Sequence, residues 1–220
     1  MNILVFAPHR DDEILGVGGT ILKHKAAGDH VTVCIVTARK GQVLPESTVK
    51  LQKEMELCHE FCKIDSTVGL QFSAANMETF SRKELNKAFY DVIVEAQPDE
   101  VYLPHWGDMQ KDHQITTDAA MVALRCKYNH PVKRIYTYET LSETGINLPN
   151  VQNEFIPNVF VDISDYLEQK LEALNFYHSQ VSDFPDLRSL EAIEALAKFR
   201  GATVNVRAAE AFMLVREIVR

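Results

Sequence analysis

The chain is poor in cysteine and has no tract of unusual composition. Four of its 220 residues are cysteine, and a chain of this length buries enough surface to fold without disulfides. We therefore predict reduced thiols, and Cys58 and Cys62 continue an apolar helical stripe with Leu51 and Met55, which indicates core packing rather than metal binding. No internal repeat or proline-rich linker divides the chain. One domain over residues 1–220 is the prediction.

Long hydrophobic runs and clusters of basic residues are also absent. No window is long and apolar enough to span a bilayer, and no basic N-terminal segment precedes an apolar stretch. The formal net charge is -8 and Lys and Arg are scattered, which argues against nucleic acid or an anionic membrane as a partner. We predict a cytoplasmic protein that acts on a small molecule, and the sequence leaves a homo-oligomer open.

Apolar runs typical of strands alternate with amphipathic helical stretches. Predicted strands cover residues 3–7, 31–37, 69–72 and 101–104, and predicted helices cover residues 13–27, 47–63, 81–96 and 112–127. A β-rich run (132–140), a polar loop (142–153), a strand (158–161), two helices (164–178 and 189–199) and a tail of ambiguous period (208–215) follow. Repeated strand-helix-strand units predict an α/β fold of Rossmann-like type, with three layers and a mostly parallel sheet flanked by helices.

The segment APHRDDE, residues 7–13, follows directly on the first predicted strand. It places an imidazole and two adjacent carboxylates outside the carboxyl end of a strand, where open α/β sheets bind ligands. A second element, Asp112 and His113, follows the predicted strand 101–104. Two nitrogen ligands and one carboxylate leave a position open in catalytic zinc sites. His9, Asp12 and His113 supply that set, so we predict a metal hydrolase.

The remaining residues of the motif suit general acid-base catalysis. A carboxylate beside the metal site can take a proton from water and return it to a leaving nitrogen, and Asp11 fits that role. Asp112 is placed to orient a ligand imidazole, and we expect Glu13 to be structural. Acidic residues also cap helices, but capping requires neither histidine, so the metal interpretation is favoured.

These residues resemble the LmbE-like, or PIG-L-like, family of zinc-dependent N-deacetylases, whose first motif reads PHPDDE and whose second ends in DH. Residues 8–13 match the first motif at five of six positions, and weaker similarities continue through most of the chain. The resemblance implies a Rossmann-like fold, zinc bound by His9, Asp12 and His113, and Asp11 as the catalytic base. It also implies hydrolysis of the N-acetyl group of an N-acetylglucosamine-type sugar. Fe²⁺ or Co²⁺ would suit the same ligands.

The chain departs from the family pattern at two positions. The family often has a histidine two residues before the aspartate of its DH motif, where it helps to stabilise the tetrahedral intermediate, but this chain has Gln110. His105, in the loop after the strand, could reach the same space, so Gln110 and His105 are both predicted catalytic residues. Arg10 replaces a proline, and we expect it to add a cation near the metal that affects the preference for substrate charge.

Other interpretations remain open at this point. The same residues could hydrolyse another amide, including that of a thiol conjugate, or the chain could be a non-catalytic sugar- or nucleotide-binding module. The glycines of residues 16–19 lack the final glycine of a dinucleotide fingerprint, so we predict close packing there. Trp106 suits either stacking on a sugar or anchoring its loop. Surface positions are predicted for most of the other histidines, namely His24, His30, His59 and His130. His178 is the exception, because it lies in a segment that resembles the family and could border the pocket.

Overall fold

Alternate residues of the first strand, β1 (Asn2–Ala7), pack into two different cores. Ile3 and Val5 join the core on one face of the sheet, and Leu4 and Phe6 join the core on the other. A strand covered on both faces is apolar without alternation, which is how the parallel sheets of three-layer folds appear in sequence. The computed structural model, which describes residues 1–126 and 132–219, confirms the predicted α/β class.

Strands and helices alternate along the chain after β1. The strands are β2 (His30–Ile35), β3 (Ser66–Gly69), β4 (Glu100–Pro104), β5 (Arg134–Tyr138), β6 (Val159–Asp162) and β7 (Ala209–Glu217). The helices are α1 (Asp12–Ala26), α2 (Glu46–Phe61), α3 (Arg82–Ala96), α4 (Lys111–Ala123), α5 (Leu167–Asn175) and α6 (Leu190–Thr203), with short 3-10 turns at Met77–Thr79 and Val151–Asn153. Over the described ranges the strands form one seven-stranded sheet.

The order of strands in the sheet is β3-β2-β1-β4-β5-β7-β6. From β3 to β5 all neighbours are parallel, whereas β7 runs antiparallel to both β5 and β6. Helices α3 and α4 supply the core on one face, through Phe89 and Ala120, and the other four helices cover the opposite face. The chain leaves β1 toward β2 on one side and returns to β4 on the other. A crevice between β1 and β4 is therefore the expected ligand position.

The predicted strand 69–72 was wrong by three residues, since β3 occupies Ser66–Gly69. Leu70 and Phe72 are buried, as their apolar character requires, but β3 pairs with β2 only as far as Gly69. The carbonyl groups of Leu70 and Phe72 instead accept hydrogen bonds from the backbone of Lys40 and Arg39. In this segment, apolar character therefore indicates burial but not strand pairing.

Towards the C-terminus the element types are as predicted and the boundaries shift. The tail of ambiguous period is strand β7, and α5 is shorter than the helix predicted over residues 164–178. Helix α4 ends at Ala123, and the end predicted at Lys127 lies outside the described residues. No helix within residues 1–126 and 132–219 is long and apolar enough to cross a membrane.

Close packing explains the glycines of α1. A Cβ atom added at Gly19 would lie 2.8 Å from side-chain atoms of Ile163, and one added at Gly16 would overlap the ring of Tyr138. Each glycine inside a helix costs about 1 kcal/mol relative to alanine, so the close approach must offset that cost. The packing prediction for this cluster is confirmed. Cys58 and Cys62 are also buried in the core, as predicted.

Candidate metal centre and active site

Three side chains from two neighbouring strand ends converge beside the sheet. His9 follows β1, Asp12 opens α1, and His113 lies in the first turn of α4, after β4. One ligand-type atom from each of these residues lies within 4.8 Å of the other two. The structure therefore brings together the three residues that the sequence singled out, in the crevice between β1 and β4. We call these three residues the triad.

Two of the three spacings between triad atoms match those of ligands on a tetrahedral cation. Asp12 Oδ2 lies 3.2 Å from His9 Nδ1 and 3.3 Å from His113 Nε2. Zinc holds nitrogen and carboxylate ligands at about 2.0–2.2 Å, so two ligands of one tetrahedral ion stand about 3.4 Å apart. Asp12 Oδ1 and His113 Nε2 are buried and have no hydrogen-bond partner in the described part of the chain. Buried ligand-type atoms without a hydrogen-bond partner fit a metal.

Each imidazole of the triad is also held on its outer side by a carboxylate. His9 Nε2 lies 3.0 Å from Asp112 Oδ2, and His113 Nδ1 lies 2.8 Å from Asp108 Oδ2. A ligand histidine usually donates its other ring N–H in this way, which fixes the tautomer and directs the free nitrogen to the metal. The position expected for Asp112 is therefore observed. Asp108 was missed from sequence, although a carboxylate five residues before His113 was a candidate for this role.

The carboxylates in and around the triad raise the pKa of both of its imidazoles. Burial lowers the pKa of His113, but the charge of Asp12 and the bond to Asp108 outweigh it and raise that pKa to about 10. In His9 burial is likewise outweighed by the bonds to Asp112 and Asp12, and its pKa rises to about 9. Burial raises the pKa of Asp12, yet the His113 charge holds it far below its usual range. A divalent cation would replace these protons among the carboxylates.

Asp11 lies between the two ligands of the motif and has a different environment. Its backbone φ is 132°, a conformation that L-residues rarely adopt. Oδ2 lies 2.7 Å from Arg188 Nη1, whereas Oδ1 is buried without a hydrogen-bond partner among the described residues. Burial and the charge of Asp12 raise the pKa of Asp11 to about 8, against the opposing effect of Arg188. A carboxyl group with that pKa can both accept and donate a proton near neutral pH.

A buried network holds the turn that carries Asp11. Glu13 Oε2 accepts a hydrogen bond from Asp11 N at 3.1 Å, while Glu13 Oε1 accepts one from the hydroxyl group of Tyr177. His59 Nε2 lies 3.2 Å from the same Oε1 atom. The expectation that Glu13 is structural agrees with these contacts. The surface prediction for His59 was wrong. Its ring is buried, and its nitrogen atoms form hydrogen bonds with Glu13 and Thr67.

The other histidines outside the triad serve no common site. His24 Nδ1 lies 2.8 Å from Asp29 Oδ2 at the end of α1, and His30 and His178 are exposed. The prediction for His130 lies outside the described residues. None of these contacts links a further histidine to the triad within residues 1–126 and 132–219.

The structure places Gln110 and His105 on loops around the triad. Gln110 is the N-cap residue of α4, and its Nε2 donates to Glu143 Oε1 at 2.8 Å. His105 is buried, with Nε2 3.1 Å from the carbonyl oxygen of Asn153, and burial lowers its pKa. No hydrogen bond in the described ranges joins either residue to the triad. Their proposed catalytic roles therefore rest on location.

Two charged groups near the triad were missed by sequence reasoning. Arg188 contacts Asp11 from the loop before α6, at a distance of 177 residues along the chain, and no motif signals it. Glu143 is buried beside Gln110, and burial raises the pKa of its carboxyl group. Arg10, in contrast, is not free to meet a substrate. Its guanidinium is buried and donates to Gln52 Oε1 and the carbonyl oxygen of Ala38, which corrects the expectation that this cation affects the preference for substrate charge.

Fold and site together define a class, namely α/β proteins with a two-histidine, one-carboxylate centre at the point where the strand order reverses. The family model of PIG-L, described as GlcNAc-PI de-N-acetylase, matches residues 4–124, which include the whole triad. The match covers more than half of the chain. The chain therefore belongs to the PIG-L family, and it is a hydrolase of amide C–N bonds.

Two deacetylases and one hydratase are among the similar proteins. The diacetylchitobiose deacetylase of Thermococcus kodakarensis is 27% identical over 194 residues, which are 84% of this chain and 71% of that protein. The solved N,N'-diacetylchitobiose deacetylase of Pyrococcus horikoshii has a TM-score of 0.76 at 22% identity, covering 97% of this chain and 83% of that one. A hydratase, GalB of Pseudomonas putida, has a TM-score of 0.77 at 20% identity, covering 100% and 98%. The shared fold alone thus does not fix the reaction.

Proposed function

We propose that this chain uses zinc to hydrolyse the N-acetyl group of an N-acetylglucosamine-type sugar or glycoconjugate, with release of acetate and a free amine. The observation that carries the proposal is the convergence of His9 Nδ1, Asp12 Oδ2 and His113 Nε2 beside Asp11. Relatives that deacetylate diacetylchitobiose support the choice of an N-acetylated sugar.

In this proposal His9, Asp12 and His113 hold the zinc ion. A bound zinc ion supplies Lewis acidity, which polarises the amide carbonyl group and makes water acidic near neutral pH. Asp112 and Asp108 accept the outer N–H groups of the two imidazoles, so that Nδ1 of His9 and Nε2 of His113 stay available as ligands. Fe²⁺ or Co²⁺ would use the same donors, and metal content distinguishes them.

Asp11 acts as general base and then as general acid. Its free oxygen, Oδ1, takes the proton of the attacking water, and the protonated carboxyl group gives that proton to the leaving nitrogen when the C–N bond breaks. Burial raises the pKa of Asp11, which favours the protonated form that the second transfer needs. Gln110 and His105 are the proposed donors that stabilise the tetrahedral intermediate, because both lie on the loop that leads from β4 to the triad.

Acetate release tests the proposal directly. The purified protein, stripped of metal and then given one equivalent of zinc, iron or cobalt, should release acetate from N-acetylglucosamine derivatives. The panel should also contain a thiol conjugate and a simple acetamide, since the same residues could hydrolyse another amide. Absence of any metal-restored amidase activity would contradict the proposal.

Two variants separate metal binding from proton transfer. We expect Asp11→Ala to keep its metal and to lose turnover by about 10²–10⁴-fold, as for other general bases. His113→Ala should lose the metal as well as turnover. Equal loss of metal in both variants would show that the roles are assigned wrongly.

A further inference from the structure

We propose that Arg188 is a positioning residue that fixes the carboxylate of Asp11 for catalysis. The inference rests on the proposed function, because it concerns the general base of that reaction. Arg188 Nη1 lies 2.7 Å from Asp11 Oδ2, and the Asp11 side chain is 3% exposed. A charge-assisted hydrogen bond to a buried carboxylate is a strong geometric constraint.

The backbone around Arg188 is itself held in place. Arg188 N donates to Asp186 Oδ1 at 2.8 Å, and Ser189 N donates to the carbonyl oxygen of Asp186 at 3.1 Å. Ser189 is the N-cap residue of α6, where its Oγ accepts a hydrogen bond from Ala192 N at 3.1 Å. The first turn of α6 thus anchors the base of the Arg188 side chain.

The Arg188 guanidinium is also steadied by neutral partners. Nη1 donates to Gln180 Oε1 at 3.1 Å, and Nε lies 3.4 Å from Ser142 Oγ. These contacts come from two separate segments of the chain, one after β5 and one after α5. A planar guanidinium that is held at several positions can restrain the orientation of a carboxylate more tightly than a flexible ammonium group can.

The turn alone does not fix the Asp11 side chain. Glu13 holds the backbone N–H of Asp11, and the Asp11 carbonyl accepts hydrogen bonds from Ile14 and Leu15 at the start of α1. Those bonds leave the carboxylate free to rotate. Because Arg188 occupies Oδ2, Oδ1 is the oxygen without a partner among the described residues. Arg188 therefore determines which oxygen of the general base faces the reaction.

Kinetics of Arg188→Ala and Arg188→Lys test this role on a substrate that the wild-type enzyme hydrolyses. Misplacing a reacting group by about 1 Å costs about 10²-fold, so we expect kcat of Arg188→Ala to fall by about 10–100-fold with KM changed less than about threefold. Arg188→Lys should lie between, since lysine keeps the charge but not the forked geometry. Free guanidinium ion should restore part of the kcat of Arg188→Ala, and zinc content should be unchanged.

A surface pair provides the matched control. Arg82 lies 3.4 Å from Asp118, and both side chains are largely exposed. Arg82→Ala should keep the wild-type kcat, and guanidinium ion should not change it. Hydrogen exchange of the metal-free protein gives a readout that needs no turnover. Amides of residues 181–189 should exchange faster in Arg188→Ala and in Asp11→Asn than in the wild type, because both variants lose the pair.

Two other kinetic results would overturn the inference. A raised KM with unchanged kcat would make Arg188 a substrate contact. A loss of kcat that neither lysine nor guanidinium ion recovers would make it a structural residue. If the wild-type enzyme hydrolyses nothing in the panel, the proposed function fails instead, and the exchange experiment still decides whether the pair holds the loop.

Discussion

The turn and the loops that meet at Asp11 are built in different ways. The turn of residues 7–13 is buried, and Glu13, Tyr177 and His59 form hydrogen bonds beneath it. The loops on the other side, residues 105–110, 142–156 and 182–189, combine buried polar groups with exposed apolar ones, such as Leu148 and Phe184. In the turn, the same side chains stabilise the fold and position the catalytic residues. In the loops the two tasks are separate, so substitutions there should cost less stability than substitutions in the turn.

Replacing Glu13 should disrupt the turn and cause the largest loss of stability among these variants. Glu13→Gln puts an amide group where Oε2 now accepts the N–H of Asp11, and it removes the charge that Tyr177 and His59 face. Loss of charged hydrogen bonds and an unsatisfied buried donor cost about 2–4 kcal/mol together. We expect the unfolding free energy to fall by that amount in urea titrations, and kcat to fall with it.

An exposed glutamate gives the control for Glu13. Glu78 lies on the surface, so Glu78→Gln should change the unfolding free energy by less than about 0.5 kcal/mol. Tyr177→Phe removes a single donor to Glu13 and should cost about 1 kcal/mol. A Glu13→Gln variant as stable as Glu78→Gln would show that the turn does not depend on this network.

Asp108 lies in one of the loops, so its substitution tests whether loop residues affect the site more than stability. Its Oδ2 atom lies 2.8 Å from His113 Nδ1, and its Oδ1 atom accepts a hydrogen bond from Thr144 Oγ1 at 2.6 Å. Removal of such outer carboxylates costs about 10–100-fold in metal affinity. We expect that loss for Asp108→Asn in competition with a chelator, with a smaller loss of stability than in Glu13→Gln. Unchanged metal affinity would leave Asp108 a loop anchor only.

The same division explains what could be predicted from sequence. His9, Asp12 and His113 were identifiable because each lies between the carboxyl end of a parallel strand and the first turn of the next helix. The carboxyl ends of parallel strands meet at one edge of the sheet. Asp108 was identifiable in principle, since ligand histidines commonly have a carboxylate partner. Arg188 was not, because its approach to Asp11 depends on the path of an irregular loop. The shift of β3 has a similar cause, since apolar pattern reports burial while backbone pairing sets the strand.

We predict a smaller effect on turnover for substitutions of Gln110 and His105. If both donate to the tetrahedral intermediate, each alanine variant should lower kcat by about 10-fold or more with little change in KM. Gln110→Ala also frees Glu143 Oε1, and His105→Ala leaves the carbonyl oxygen of Asn153 without its imidazole partner. Steady-state kinetics with thermal unfolding separate the two effects. Unchanged turnover in His105→Ala would make it an ordinary loop histidine.

Substitution of Trp106 should have the smallest effect on stability and on substrate binding. Its indole Nε1 donates to the carbonyl oxygen of Gln152 at 2.9 Å, and its ring centroid lies 4.5 Å from that of His105. Trp106 is 40% exposed, so its ring could stack on a sugar, but the contacts on its polar edge and its packing favour the anchoring of the loop. We expect Trp106→Ala to lower the unfolding free energy by about 1 kcal/mol while KM stays within about twofold. Trp106→Phe is the matched variant, because it keeps an aromatic face and removes the N–H donor. A KM that rises in the alanine variant and stays normal in the phenylalanine variant would assign the ring to the substrate, and the loop would then serve binding as well as shape.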